Sequence, residues 1–371
     1  MVKINLMGDV MFAELLENYR RGLRTVLRRR GIDPFERARP ALAEADFNLI
    51  NLECVIGDAS ILEKPFSEIL ISPPESLRFL AGNNINVVNT ANNHALDHGR
   101  RAFERSVGML RDAGISVIGY DAGRFFQEEP VVLEAGGMKT GFLGYNISNF
   151  PEADRRRCVD RIQSVLAGSG SSADRLVVSM HWGEEYTNIP PPYVVEYGME
   201  LIEAGAGVLH GHHSHRIQGV LRVGGAIFAP SLGNFIFDQK VRLNRITAVL
   251  QVEMPRDGAM EFRYVPYYMN DLFQPEPAPE YDGYVEQING YLRDCLDGGS
   301  DRYAETVRRS VEKGHRANRI RMRIGMLAHF WDYLPYTGRI IAFRRGRANP
   351  YSIIRDMDCL ESKGRERDGR D

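Results

Sequence analysis

Cysteine is scarce in this chain. The four present, Cys54, Cys158, Cys295 and Cys359, lie far apart with no CxxC spacing, which argues against both a disulfide framework of the small secreted kind and a thiolate zinc cage. A reducing cytoplasm is the expected compartment. Long apolar runs are missing too: nothing reaches the ~18 uninterrupted apolar residues of a membrane span. The opening "VKINLMGDV" lacks the charged start and cleavage pattern of a signal peptide. The formal net charge is only -2, so charge names no partner for the whole protein. No GxxxxGK[ST] loop or GxSxG elbow occurs, and "GFLGY" is too lax for a dinucleotide motif. No zinc-finger spacing or aromatic RNA-binding motif accompanies the arginines, so no specific nucleic-acid partner is expected.

What is present is ordinary globular chemistry, with 43% apolar and 26% charged residues over 371 positions, enough for one large domain with an appendage or for two domains. Short apolar runs ending in Gly, Asp, Asn or His recur: "INLMGD", "FNLINLE", "INVVNTANNH", "ISVIGY", "RLVVSMHWG", "AGVLHGHH". Helix-like stretches lie between several of them, at Gly99 to Ala113 and Val194 to Ala204. Continuous apolar strands alternating with helices predict an α/β fold whose sheets are buried on both faces. "RITAVLQVEM" alternates enough to be antiparallel. A proline-rich break, "QPEPAPEYDG", begins at Gln274, which places a first domain at 1–273 and a basic helical extension at 274–371. Tyr284 to Leu296 and Arg302 to Tyr333 read as helices, and "ESKGRERDGRD" as a disordered end.

From Asp301 onward there are 17 Lys and Arg against 10 Asp and Glu, a formal +7. Two readings of "HRANRIRMRIGMLAHFWDYLPY" stand: a helix in peripheral contact with an anionic membrane surface or a polyanion, or a basic helix packed on the core with its charges solvated.

The strand ends carry the chemistry: Asp9 after Gly8; Glu53; Asn92, Asn93, His94, Asp97 and His98; His181, Glu184 and Glu185; then "GHHSH". Singly, each has a plain structural reading. An Asp is a turn former, an Asn pair is a helix cap, and a lone His is a hydrogen-bonded loop residue. Together, one Asp, one Glu, one Asn and several His on separate strands can converge as a mixed oxygen and nitrogen set. That set suits Mn, Fe or Zn, as one or two divalent ions. In "HHSH", His213 and His215 have period-two spacing, so in an extended segment they would share a side while His212 faces away. His212 and His210 are then structural or supporting. Glu53 could bridge two cations that activate water for attack on a phosphoester. His94 could protonate the leaving group, with Asp97 either orienting it or capping the next helix.

In order and spacing, "GDVM", "NLE", "ANNHALDHG", "HWGEEY", "GHHSH" and "SLGNFIFD" resemble the bacterial capsule-synthesis CapA family linked to poly-γ-glutamate, which looks like a branch of the calcineurin-like metallophosphoesterases. The resemblance spans Ile4 to Asp238. It implies two packed mixed β-sheets flanked by helices. It also implies that Asp9, Glu53, Asn93, His181, His213 and His215 ligate metal and that His94 is the catalytic imidazole, which Asp97 would assist in its orienting role. Asn92, Glu185, His212 and Asn234 would touch substrate or support the ligands. The chain departs from the wider superfamily at Met11, where Asp-x-His is usual. Glu14 offers either a replacement ligand or a favourable charge at a helix start. The expected activity is metal-dependent hydrolysis of a phosphoester in capsule or poly-γ-glutamate synthesis. The substrate would be anionic, a phosphoester or a polyglutamate-type polymer. Action on an amide or anchor link and a non-catalytic polyanion-binding scaffold are the alternatives.

Overall fold

Apolar runs bounded by turn residues become strands here because both of their faces find apolar neighbours. A computed structural model describes residues 1–328 apart from 16, 17, 19, 20, 58–69, 122, 171 and 298–300. The first sheet contains β1 (Val2–Val10), β2 (Phe47–Leu52), β5 (Val87–Asn89), β6 (Ser116–Ile118), β13 (Asn234–Ile236), β14 (Ile246–Met254), β15 (Glu261–Met269) and β16 (Pro275–Pro277). Its order is β16-β15-β14-β1-β2-β5-β6, with β13 pairing β1. The second contains β7 (Val131–Ala135), β8 (Met138–Asn146), β9 (Arg175–His181), β10 (Val208–His212), β11 (Leu221–Val223) and β12 (Ala226–Ala229), in the order β11-β12-β10-β9-β8-β7. A small ribbon pairs β3 (Val55–Ile56) with β4 (Ile71–Ser72). β14 runs antiparallel to both β1 and β15, as its alternation predicts.

The sheets face each other. Ile4 and Leu6 of β1 and Leu250 and Val252 of β14 pack in one cluster with Phe142, Val177, Val208 and Ile227 of the second sheet. Phe47 and Phe142 meet edge to face across this layer, 5.6 Å between centroids. Burying each such side chain contributes about 1.5–3 kcal/mol. The alternate residues, such as Met7, Ile50 and Val178, join a second cluster. It includes Leu23 and Leu27 of α1 (Leu23–Arg30), Phe103 and Val107 of α4 (Arg100–Asp112), Val159 and Ile162 of α5 (Glu152–Ser169), and Val194 and Leu201 of α6 (Pro192–Glu203). The result is a mixed α/β sandwich of two sheets flanked by helices, with two short helices, α2 (Arg39–Ala43) and α3 (Leu77–Ala81), alongside.

The segment from Pro230 to Asn234 threads between the strand ends of both sheets. A β-carbon on Gly8 would stand 1.9 Å from the Gly233 carbonyl oxygen, and one on Gly211 would stand 1.8 Å from that of Pro230. Only glycine permits these approaches.

The first part of the proline-rich stretch that begins at Gln274 forms an edge strand: β16 pairs antiparallel with β15 through Pro275 to Pro277. Proline is tolerated there because an edge strand has one side with no ladder to donate to. The helical extension therefore begins at α7 (Asp282–Leu296), followed by α8 (Asp301–Ala328). The first part of α8 is packed: the Tyr303 hydroxyl donates to the Pro190 carbonyl, Ser310 meets Thr187, and Asn318 donates to the Tyr186 hydroxyl at 3.0 Å. The predicted helix end at Tyr333 and the predicted disordered tail lie outside the described residues. Among the described residues no helix is long and apolar enough to cross a membrane.

Candidate metal centre

Each candidate ligand stands where a strand runs out of partners. At Asp9 the pairing of β1 with β2 slips, and the Asp9 N–H donates to the Gly233 carbonyl at 2.9 Å. Glu53 follows β2, its N–H donating to the Val10 carbonyl at 2.8 Å. Asn93 and His94 follow β5, His181 closes β9, and His213 and His215 follow β10. The two sheets thus deliver side chains to one place, at the seam between them.

These side chains form two groups that share a member. Donor atoms of Glu53, His181 and His213 lie within 4.8 Å of one another, as do donor atoms of Asp9, Glu53 and His215. The Asn93 carbonyl oxygen is 2.7 Å from His181 Nε2, at the border of the first group. Both Glu53 carboxylate oxygens are fully buried without a hydrogen-bond partner. Leaving a buried acceptor unsatisfied costs about 1–3 kcal/mol, more when it is charged. A bound cation would remove that cost, so the residues present fit a metal.

The electrostatics agree. Burial, with the charges of Asp9 and Glu185, pushes the Glu53 carboxyl well above the usual range. For Asp9, burial raises the pKa, but the bond and charge of His212, then His215 and Asn51, outweigh it and hold Asp9 below the ordinary value. Burial lowers His213 to about 4 and takes His181 well below the usual imidazole value, with neighbouring histidines adding to the effect at His181. Neutral imidazole is the form that ligates metal. Glu185 is lowered: burial works against its charge, but His213, His215 and His94 overcome it.

His94 stands at the mouth, its side chain 23% exposed. Its Nδ1 pairs with Asp97 Oδ2 at 2.7 Å, and its Nε2 is 3.7 Å from Glu53 Oε1. Of the two roles open to Asp97, the geometry shows the orienting one. The helix that follows, α4, has Gly99 at its N-cap and no side-chain cap. Burial disfavours the charged imidazole of His94, but Asp97, then Glu185 and Asp9, raise its pKa overall.

Around the ligands lies a set of supporting bonds. His212 Nδ1 is 3.0 Å from Asp9 Oδ1 and its Nε2 is 3.0 Å from Ser179 Oγ. The expectation that His212 faces away from the site is therefore wrong. β10 ends at His212, and His213 and His215 have φ of 84° and 55°, so the period-two rule for strands does not apply. Left-handed backbone at non-glycine residues costs of order 1–3 kcal/mol and concentrates at functional sites. His210 is buried with its ring against that of His212, 4.2 Å between centroids. Asn234 bonds His215 Nδ1 at 2.8 Å and is itself buried. Asn92 donates to the Leu52 carbonyl at 2.8 Å and accepts the His94 N–H at 3.1 Å, which fixes the turn that presents His94.

Two contributors escaped the sequence reading. Asn51, inside β2, donates to Asp9 Oδ1 at 2.9 Å and lies 3.3 Å from His181 Nδ1. Its signal was one of two amides, Asn48 and Asn51, within a fully buried strand. Tyr186, with φ 64°, stacks on His215 and meets His315 of α8 edge to face. The loop motif showed the tyrosine but not its contacts.

Residues 3–239 match the family described as bacterial capsule synthesis protein PGA_cap. The chain belongs to this capsule synthesis family. Among its relatives, the PGA biosynthesis protein CapA of Bacillus subtilis is 25% identical over 286 residues, 74% of this chain and 73% of that protein. The capsule biosynthesis protein CapA of Bacillus anthracis is 25% identical over 297 residues, 74% and 69% of the two chains. A probable polyglutamine synthesis accessory protein of Mycobacterium tuberculosis is 28% identical over 191 residues, 46% and 50%. A solved structure of a putative 5'-nucleotidase from Staphylococcus aureus in complex with alpha-ketoglutarate is similar with a TM-score of 0.46 at 14% identity, covering 79% of this chain and 58% of that one.

Two positions near the first strand of this family member bear on its ligand count. Met11 is buried in the apolar core and supplies no donor. Glu14 is not a replacement ligand. One of its oxygens accepts the N–H groups of Arg21 and Gly22, and the other accepts those of Thr25 N and Oγ1 at 3.0 and 2.6 Å. Glu14 itself lies on no helix, in contrast to the expectation, but its carboxylate faces the start of α1 from outside that helix. Asp238, from the "SLGNFIFD" motif, completes that support by accepting the Leu15 and Leu23 N–H groups at 2.7 and 2.8 Å.

Proposed function

We propose that this chain is a metal-dependent hydrolase acting on a phosphoester within capsule or poly-γ-glutamate-type polymer synthesis. The observation that carries the reading is Glu53, a buried carboxylate without hydrogen bonds that belongs to both donor groups. Asp9, Glu53 and His215 would hold one divalent ion, and Glu53, Asn93, His181 and His213 a second, of Mn, Fe or Zn type. Such ions supply Lewis-acid charge and make water more acidic at neutral pH.

The chain's own residues do the rest. Asp97 holds Nδ1 of His94, leaving Nε2 directed into the mouth. With its pKa raised, His94 carries the proton that the leaving oxygen needs. His212 and Asn51 fix Asp9, and Asn234 fixes His215. Glu185, whose carboxyl is held below its ordinary value by His213, His215 and His94 against its burial, would favour a substrate that also offers a hydrogen-bond donor. Cys54 and Cys295 are free, but Cys158 is disulfide-bonded, so the cysteines do not support the cytoplasmic location expected from their spacing.

The names of the Bacillus relatives support a second reading, in which the same centre cleaves an amide or anchor link of the polymer. One experiment separates them: purified protein with Mn, Fe or Zn is assayed on an aryl phosphate, an aryl phosphodiester and poly-γ-glutamate, alongside the Glu53→Gln variant. Metal-dependent phosphoester turnover lost in Glu53→Gln supports the first. Cleavage of the polymer alone moves the assignment to the second. Neither activity, with no transition metal retained, leaves the polyanion-binding scaffold.

A further inference from the structure

The far end of α8 departs from the packing of its first half. Ile320, Ile324 and Leu327 are 49%, 60% and 74% exposed; apart from Met1 they are the most exposed large apolar side chains among the described residues. Spaced at i, i+4 and i+7, they form one stripe. The stripe does not continue the seam of Tyr303, Val307, Gly314 and Asn318 that seats the helix. At ~100° per residue it lies roughly a third of a turn around from that seam. Arg316, Arg319 and Arg323 are exposed along one flank of it. Single exposed apolar residues are unremarkable, but an apolar row edged by cations marks a contact surface.

We propose that this outer face of α8 is a docking surface for an anionic lipid bilayer. The argument is charge complementarity. Three arginines beside the stripe would repel a second copy of the same helix face, whereas an anionic headgroup layer attracts them. Their aliphatic stems can lie along the apolar stripe while the guanidinium groups reach the headgroups. The sequence after Ala328 has the same chemistry. "HFWDYLPY" supplies Phe330, Trp331 and Tyr333, and "RIIAFRRGR" supplies Arg344, Arg345 and Arg347. Aromatic and cationic residues of these kinds collect at membrane-water interfaces. The seated half of the same helix reaches Tyr186, which stacks on His215.

The test is sedimentation of the full chain with phosphatidylcholine vesicles made with and without phosphatidylglycerol. Binding only to the anionic vesicles is expected, weakened by about ten-fold or more in Ile324→Asp/Leu327→Asp, in Arg319→Glu/Arg323→Glu, and by added salt. Both pairs are exposed, and thermal melts should match the wild type. If the apolar pair fails to fold, the arginine pair alone decides. Four results would overturn the proposal: no binding to anionic vesicles; equal binding to neutral ones; undiminished binding in the folded variants; or light scattering that shows a dimer dispersed by the apolar pair.

Discussion

The ring of Tyr186 stacks on that of His215, with centroids 5.6 Å apart and planes at 29°, while Asn318 of α8 donates to the Tyr186 hydroxyl. A residue outside the family-matched range thereby fixes the backing of a candidate ligand. Tyr186→Phe keeps the ring and should retain metal affinity within about three-fold. Tyr186→Ala removes the backing and should lose about ten-fold or more, an order-of-magnitude expectation for a residue that orients a ligand. Metal titration of the purified variants measures both. Equal affinity in Tyr186→Ala would show that the stacking holds nothing in place.

Glu53→Gln should abolish the metal-dependent gain in thermal stability and yet make the metal-free protein more stable. The reason is that burial and the charges of Asp9 and Glu185 disfavour a carboxylate at this position, whereas a neutral amide of the same shape brings no charge to desolvate beside them. Melting curves with and without a chelator provide the check. A metal-free variant less stable than the metal-free wild type would mean that Glu53 has protein partners after all.

His94→Ala should keep its metal and lose about 10²–10⁴-fold in turnover, the usual contribution of a positioned acid. The raised pKa of His94 places its loss of activity on the alkaline side, as the imidazolium deprotonates. Because Asp97 raises that pKa, Asp97→Asn should move the alkaline limb to lower pH. A limb that stays put in Asp97→Asn would remove His94 from the role.

Burial pushes Asp238 up to about 8, against the two backbone N–H groups that favour its ionised form. Its unfolded value is near 3.9, so the folded state holds the proton more tightly. The associated stability is full below about pH 4 and is lost as pH rises toward about 8. Asp238→Asn, which cannot titrate, should therefore be destabilised more at pH 5 than at pH 9, by chemical denaturation. A gap that is constant with pH would refute the titration.

The sequence pointed to the candidate ligands because Asp9, Glu53 and His181 stand at or just past the end of an apolar strand, and strands of stacked sheets end together. Choosing Asn93 over Asn92 took the family resemblance. His212 was misdirected because strand periodicity was carried past the end of β10 into a left-handed turn that no composition signal marks. Asn51 was hidden inside a strand, where an amide reads as a defect until its partners on β1 and β9 are known. The contact of Tyr186 with α8 joins residues more than a hundred positions apart. Likewise, the prolines near Gln274 signalled a break because an edge strand that tolerates them looks the same in sequence as a linker.

The thread from Pro230 to Asn234, pressed between Gly8 and Gly211, ties the two sheets mechanically. Asp9 rides on one side of it, and His213 and His215 follow the strand on the other. The sheets cannot slide past each other without changing the distances among the candidate ligands. Unfolding and release of a bound metal should therefore be a single cooperative event, and a methyl group at either glycine should loosen both candidate donor groups at once.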